Sequence, residues 1–438
     1  MKSVKRALSL LIAAGMCAAT LAGCGGGTSS SAASAGSAEG TASGASGEVV
    51  QISFPTFMCG TASQTAWAAE RIAAFNEEYA GQYEVVVEEI PGDQNYIDKL
   101  KVLYSADDLP DVIVTGGYNL IDMFKDKLVD LTPYIEADEE WNAMISDVGR
   151  NVNSRDGKLY GIPYIRQTVG YFYNKDLFEQ AGIESVPQTW DEFFEVCDKL
   201  KAAGITPVSM DTADSGWCSG LMLGAAIADA GDAGEEFMNT NQPETYNTPE
   251  FIEGATKIQR LFQEYTTTDA IGGDYSVAAN NFFNDRTAII ANGPWMVSDF
   301  YDTSVAPEGF ADKVGVAAFP GNVMYNSGQI GWSIASKTEE KIEASLAFVK
   351  FMTSEESQRL DLEMSAAVPD CAIEDADVYP LITETIALAD GADRSINDFQ
   401  SLWHASVVDE ISVQFPLLAD GTLTPEEFAQ ALTDAAAT

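Results

Sequence analysis

From Val49 onward the chain alternates short apolar runs with amphipathic stretches opened by capping residues, and this alternation constrains the fold more than any other feature. Val49-Val50-Gln51-Ile52-Ser53-Phe54 reads as a strand. Thr61-Ala62-Ser63-Gln64 is a capping box, and the helix it opens carries Ile72, Phe75 and Tyr79 on one face. Residues 84–90 read as a strand and 96–104 as a helix. Residues 111–115 are short and apolar, as a buried parallel strand is. Asn174 caps a short helix that Gly182 ends, and Thr189-Trp190-Asp191-Glu192 opens another that closes at Gly204. Thr248-Pro249 starts a long helix, with proline where no N–H is needed. Residues 287–291 and 314–319 read as strands, Ile342, Leu346 and Val349 mark a helix face, and Thr424-Pro425-Glu426-Glu427 opens the last helix. The rhythm predicts an α/β fold with parallel-rich sheets flanked by helices. No tandem repeat interrupts it.

The residues before this pattern have a different character. Lys2, Lys5 and Arg6 precede an apolar run from Ala7 to Leu21, and Leu21-Ala22-Gly23-Cys24 follows. Residues 1–23 read as a secretory signal ending in a lipobox, with Cys24 as the lipidated new N-terminus. The run is too short for a membrane anchor and no basic stop-transfer residues follow it. Residues 25–47 contain only Gly, Ser, Thr and Ala apart from Glu39. They form no apolar face, so 24–47 is a lipidated cysteine and a flexible tether reaching about 25–30 Å. The expected location is the extracellular face of the cell membrane, held through lipid alone.

About 390 residues remain, suited to two domains. With 46% apolar residues the chain can bury large cores. Sixty-seven acidic residues against 24 basic ones give a net charge of −43, which repels nucleic acid and anionic lipid. The single histidine, His404, removes most metal, triad and imidazole-base chemistry, and we expect no metal and no cofactor. Cys17 leaves with the signal. Cys59, Cys197, Cys218 and Cys371 remain, with three possible pairings, and are expected as free thiols; Cys197 falls on an apolar helix face. No phosphate-binding glycine loop is present. A carboxylate pair for glycoside hydrolysis is not excluded by composition, and no local motif marks one.

Aromatic residues on turns are the stronger signal. Trp217 follows Asp214-Ser215-Gly216, Trp295 follows Asn292-Gly293-Pro294, and Trp332 lies between Gly331 and Ser333. A large flat ring on a loop is costly unless it covers a core or meets a ligand, and sugars present apolar C–H faces to such rings.

Taken together, several segments identify a family resemblance. Asp156-Gly157-Lys158-Leu159-Tyr160-Gly161-Ile162-Pro163, Tyr173-Asn174-Lys175-Asp176-Leu177-Phe178, and Pro187-Gln188-Thr189-Trp190-Asp191-Glu192 resemble the family 1 extracellular solute-binding proteins. These are the sugar-binding components of ABC importers, with maltose-binding protein as the familiar relative. Leu109-Pro110-Asp111-Val112, Asn292-Gly293-Pro294-Trp295 and residues 331–336 match further signatures in the same order. The resemblance implies a two-lobed type II periplasmic-binding-protein fold with three hinge crossings, near residues 164–168, 326–330 and 354–358. One lobe would be 48–165 plus 330–356, the other 166–327 plus 357–438. Ligand would bind between lobes that close over it.

The resemblance also implies site residues. Trp295 matches the tryptophan of the family's Asn-Gly-Pro-Trp, Trp403 lies where the relative places a stacking tryptophan, and Trp217 lies near an aromatic contact. Gln167 stands where the relative has a hinge glutamate, keeping the hydrogen-bonding role without the charge. Tyr118 and the loop from Phe57 to Gly60 would face the cleft, with Trp332 beside them. The implied function is a non-enzymatic, monomeric receptor that captures a sugar and delivers it to the transmembrane subunits of an ABC permease. The alternatives are a secreted glycosidase and a solute-binding protein for a peptide or polyamine.

Overall fold

Strands β1 (Val50–Thr56) and β2 (Tyr83–Glu89) pair in parallel, joined by the helix Thr65–Glu78. In this computed structural model the described residues are 49–60, 62–115, 120–328, 331–373 and 376–437; Cys24, the tether and Tyr118 lie outside them. They fall within one compact unit, Gly47–Thr438. β3 (Val112–Val114) is fully buried. The motif around Asp156 and Gly157 is a hairpin of β4 (Ser154–Arg155) and β5 (Lys158–Leu159). Its two turn residues sit at φ +54° and +76°, the left-handed pair a two-residue hairpin turn needs. β6 (Ile162–Pro163) then leads into the long β7 (Arg166–Asn174), followed by β8 (Thr206–Ser209), β9 (Thr287–Asn292), β10 (Val314–Ala317), β11 (Val323–Gly328), β12 (Gly331–Ile334) and β13 (Arg394–Ile396).

Two bodies form around separate cores. In the first, β12 runs between β3 and β6, and Phe54, Trp67, Phe75, Trp332 and Phe348 share one apolar cluster. Asp111 ties this body together: its carboxylate accepts from Ser53 N (3.0 Å), Ser53 Oγ (2.8 Å) and Lys341 Nζ (2.8 Å), reaching from β1 to the helix Glu339–Met352. Burial pushes this carboxyl up, but the bonds from Lys341 and Ser53 outweigh it and hold the group below its ordinary value. In the second body the strand order is β13-β11-β7-β9-β8, with β10 also on β7. β7 divides its interior by simple alternation: Val169 and Tyr171 enter one cluster, Phe172 the other.

Helices flank the sheets as the alternation requires, but strand direction is more mixed than expected. Only β1–β2, β8–β9 and β11–β13 are parallel; the other pairings among the described strands are antiparallel. The reason is β7 and β12, long-range insertions that enter each sheet from the opposite body. Local caps follow the sequence closely. Asn174, Thr189, Thr248 and Thr424 each accept from the backbone of the first helical turn, and Thr424 with Glu427 forms a complete box. Gln64 makes no side-chain cap, and Thr61 lies outside the described residues.

The helix Glu355–Ser365 spans the junction of the bodies. Trp67 Nε1 donates to Ser357 O (2.9 Å) and Arg71 Nε to Ser357 Oγ (2.8 Å), while Leu362 joins the second body's core. Below it, Gln64 Nε2 donates to Asp361 (2.6 Å) and to Tyr164 Oη (2.9 Å), and Ser365 closes on the other Asp361 oxygen. Burial pushes the Asp361 carboxyl up to about 7, against these hydrogen bonds. The four described cysteines are free thiols.

Candidate functional site

Two tryptophans come together at one end of the second body's sheet, beyond the carboxyl ends of the parallel strands β8 and β9, where ligands meet α/β sheets. After β9, Asn292 Oδ1 accepts from Gly293 N (2.9 Å) and its Nδ2 donates to Tyr275 Oη (3.0 Å), fixing the turn. Pro294 then opens a short 3-10 turn. The Trp295 ring lies back across Gly293: a Cβ there would come within 2.3 Å of the indole. Glycine is required by this close approach, which gives the Asn-Gly-Pro-Trp string a physical reason.

After β8, Gly216 at φ +58° turns the chain into the helix Trp217–Ala228. Asp211 anchors that turn, accepting from Cys218 N (3.3 Å) and Ser219 N (3.0 Å). Burial pushes its carboxyl up to about 6 despite those bonds. The rings of Trp217 and Trp295 lie 6.1 Å apart at 51°, and Phe399 lies 5.9 Å from Trp217. Both tryptophans are half-buried, each braced by two apolar clusters with part of its surface open. That is what an aromatic platform needs: rigid support beneath and an accessible surface above.

Two buried polar groups lie in the same sheet. Gln167 of β7 faces Ser327 of β11 in an antiparallel ladder, so both side chains lie on one face of the sheet. Both are buried, at 3% and 0% exposure, and Gln167 Oε1 and Ser327 Oγ have no hydrogen-bond partner among the described residues. β11 runs antiparallel to the Trp217 helix. A Cβ at Gly321 would lie 3.5 Å from Asp229, and Tyr325 Oη donates to Leu221 O at 2.7 Å.

The other expected contacts go elsewhere. Trp332 is a correction: it sits in the middle strand of its sheet, fully buried, stacked on Phe54 at 5.1 Å. Its flanking Gly331 serves close packing, since a Cβ there would meet Asn153 Oδ1 at 2.0 Å. Trp403 is a second correction: it is 1% exposed, enclosed by Phe237, Tyr246, Phe251 and Phe399. Phe57 packs edge-on against Tyr96 in the first body's core. A ring covered on both faces offers none to a solute. A groove of about 780 Å³, lined by Trp141, Met144 and Lys350 of the first body together with Arg359 and Cys371 among others, contains none of the expected residues. Asp211 and Ser327 went unmarked in the sequence reading. For Ser327 one signal existed: a serine at the parity of Val323 and Tyr325, where the pattern demands an apolar residue.

The bacterial extracellular solute-binding protein family matches residues 61–359. The multiple sugar-binding protein of Streptococcus mutans is 27% identical over 207 residues, 45% of this chain and 48% of its own. The maltotriose-binding protein of Pyrococcus abyssi is 25% identical over 234 residues, 52% of this chain and 47% of its own. The chain thus spans about half the length of these curated relatives. Among solved structures, a chitin oligosaccharide binding protein superposes with a TM-score of 0.79 at 22% identity, covering 89% of this chain and 99% of that one. A Streptococcus pneumoniae solute-binding protein, in complex with the blood group A-trisaccharide, superposes with a TM-score of 0.72 at 21% identity, covering 88% and 98%. These likenesses establish the two-lobed type II α/β fold.

Proposed function

Since the chain belongs to the bacterial extracellular solute-binding proteins, we propose that it is a carbohydrate receptor that captures an oligosaccharide and hands it to an ABC importer, breaking no bond. One observation carries this reading: the half-buried Trp217–Trp295 pair beyond the carboxyl ends of β8 and β9, in the body whose sheet also holds the buried amide of Gln167. Indole faces suit the apolar faces of sugar rings and an amide suits their hydroxyls. A micromolar site needs about 8 kcal/mol, within reach of two stacked rings and a few hydrogen bonds. The sugar-binding names of the relatives support the substrate class.

In this reading the first lobe is 48–165 plus 330–356 and the second 166–327 plus 357–438. Ligand favours the closed arrangement only if both lobes touch it there. The protein works as a monomer, as a lipoprotein moored outside the cell through Cys24 after removal of residues 1–23. Its partners are the sugar and the permease subunits.

Calorimetry on the unmodified protein with maltotriose, raffinose and chitin trisaccharide tests the reading. Saturable binding of at least one, with no reducing ends released from it, is the expected result. Absence of binding across this and a wider sugar panel, or turnover of a bound sugar, would overturn it.

A further inference from the structure

A buried polar atom without a partner is costly, so two facing each other across a ladder require an explanation. Ser327 is such a group: fully buried on a sheet face otherwise occupied by Val323 and Tyr325 of the core, its hydroxyl unpaired among the described residues. Its neighbour across the ladder, Gln167, carries an equally unpaired carboxamide oxygen. Directly opposed side chains of an antiparallel pair have Cβ atoms about 4.5–5.5 Å apart, a gap that one hydroxyl can bridge. The chemistry is complementary: Gln167 Oε1 only accepts, whereas the Ser327 hydroxyl both donates and accepts. A hydroxyl between them donates to the amide oxygen and receives from the serine.

We infer that Ser327 and Gln167 form a two-point reader for a single sugar hydroxyl, with Ser327 the specificity-determining partner. The inference rests on the carbohydrate reading above and adds to it a residue and a selectivity. Stacking on indoles tolerates many sugars, because all present C–H faces. A pair of buried oxygens instead rejects an analogue lacking the hydroxyl, since both are then left unsatisfied.

The test uses whichever trisaccharide of the panel binds the unmodified protein. Ser327→Ala should weaken its binding about tenfold or more. It should leave the unliganded melting temperature unchanged or raised, because it removes a buried group with no protein partner. Singly deoxygenated versions of the same sugar should bind the parent weakly at one position only, and S327A should no longer distinguish that position. Gln167→Ala combined with S327A should lose less than the two single losses multiplied, since both bond one atom. S327C, similar in size but a weak donor, carries the same comparison if alanine fails to fold. Unchanged affinity in S327A with the parent binding normally would overturn the inference and leave the carbohydrate reading standing. A lowered unliganded melting temperature with unchanged affinity would overturn it too, assigning Ser327 to a structural water. Failure of the parent to bind any sugar would remove both.

Discussion

Replacing Asp361 with asparagine should stabilise this protein, and increasingly so as pH rises from about 4 to about 7. Asp361 is wholly buried between the two bodies, with Gln64 and Ser365 as its hydrogen-bonded side-chain partners and, among the described residues, no cation bonded to it. One carboxyl oxygen accepts from Gln64 Nε2 (2.6 Å) and the other is hydrogen-bonded to Ser365, whose hydroxyl also reaches Asp361 O (2.8 Å). Asparagine reproduces this arrangement, oxygen toward Gln64 and amide toward Ser365. A carboxyl that titrates near 4 unfolded and about 7 folded opposes folding by about 4 kcal/mol well above pH 7. The folded state keeps a proton that the unfolded state has released between those values, so stability falls as pH rises through that window. D361N should therefore match the parent near pH 4 and exceed it by about 2–4 kcal/mol at pH 8. Asp211, also raised, to about 6, leaves a smaller slope of the same sign in both proteins. Urea unfolding followed by tryptophan fluorescence at unit steps from pH 4 to pH 8 measures the difference. A gap that does not widen with pH, or a variant less stable at pH 8, would refute the reasoning.

Trp217→Ala and Trp295→Ala should each weaken sugar binding tenfold or more by calorimetry while far-ultraviolet dichroism stays unchanged; because the rings touch, their losses should not add. Trp332→Ala and Trp403→Ala should act differently, each lowering stability by about 3–5 kcal/mol through cavity formation, with affinity unchanged wherever the protein is folded. Gly293→Ala should weaken binding as Trp295→Ala does, because the new methyl would occupy the space of the indole resting over that backbone. Asp111→Ala should cost about 2 kcal/mol at neutral pH, the partial exposure of Lys341 moderating the loss. That penalty should shrink in denaturant titrations as pH falls through the carboxyl range, because a carboxyl held below its ordinary value contributes fully above its unfolded titration and loses that contribution as it protonates in the folded state.

Much of the architecture was legible locally. Asn174, Thr189, Thr248 and Thr424 begin helices because a side-chain oxygen reaches an N–H only two or three residues away. Asp156-Gly157 turns a hairpin because these two residues tolerate positive φ. Trp295 was legible too, since the glycine and proline beside it act within the same turn. Strand direction was less so. β7 pairs with β9, β10 and β11, segments more than a hundred residues away, and no local pattern encodes which way they run.

Trp332 and Trp217 mark where local reading ends. Both follow a glycine and both read as rings on turns. Gly331 is small because Asn153 presses against it, and Trp332 enters the middle of a sheet with aromatic neighbours around it. Gly216 takes a left-handed turn that leaves Trp217 at the rim of two cores. The residues themselves determined caps, turns, the alternation of elements and the family signature, all effects that act within a few residues. Whether an indole is roofed over or left open, and whether Gln167 finds Ser327, was decided only when distant strands met, because burial is a property of the neighbours and not of the residue.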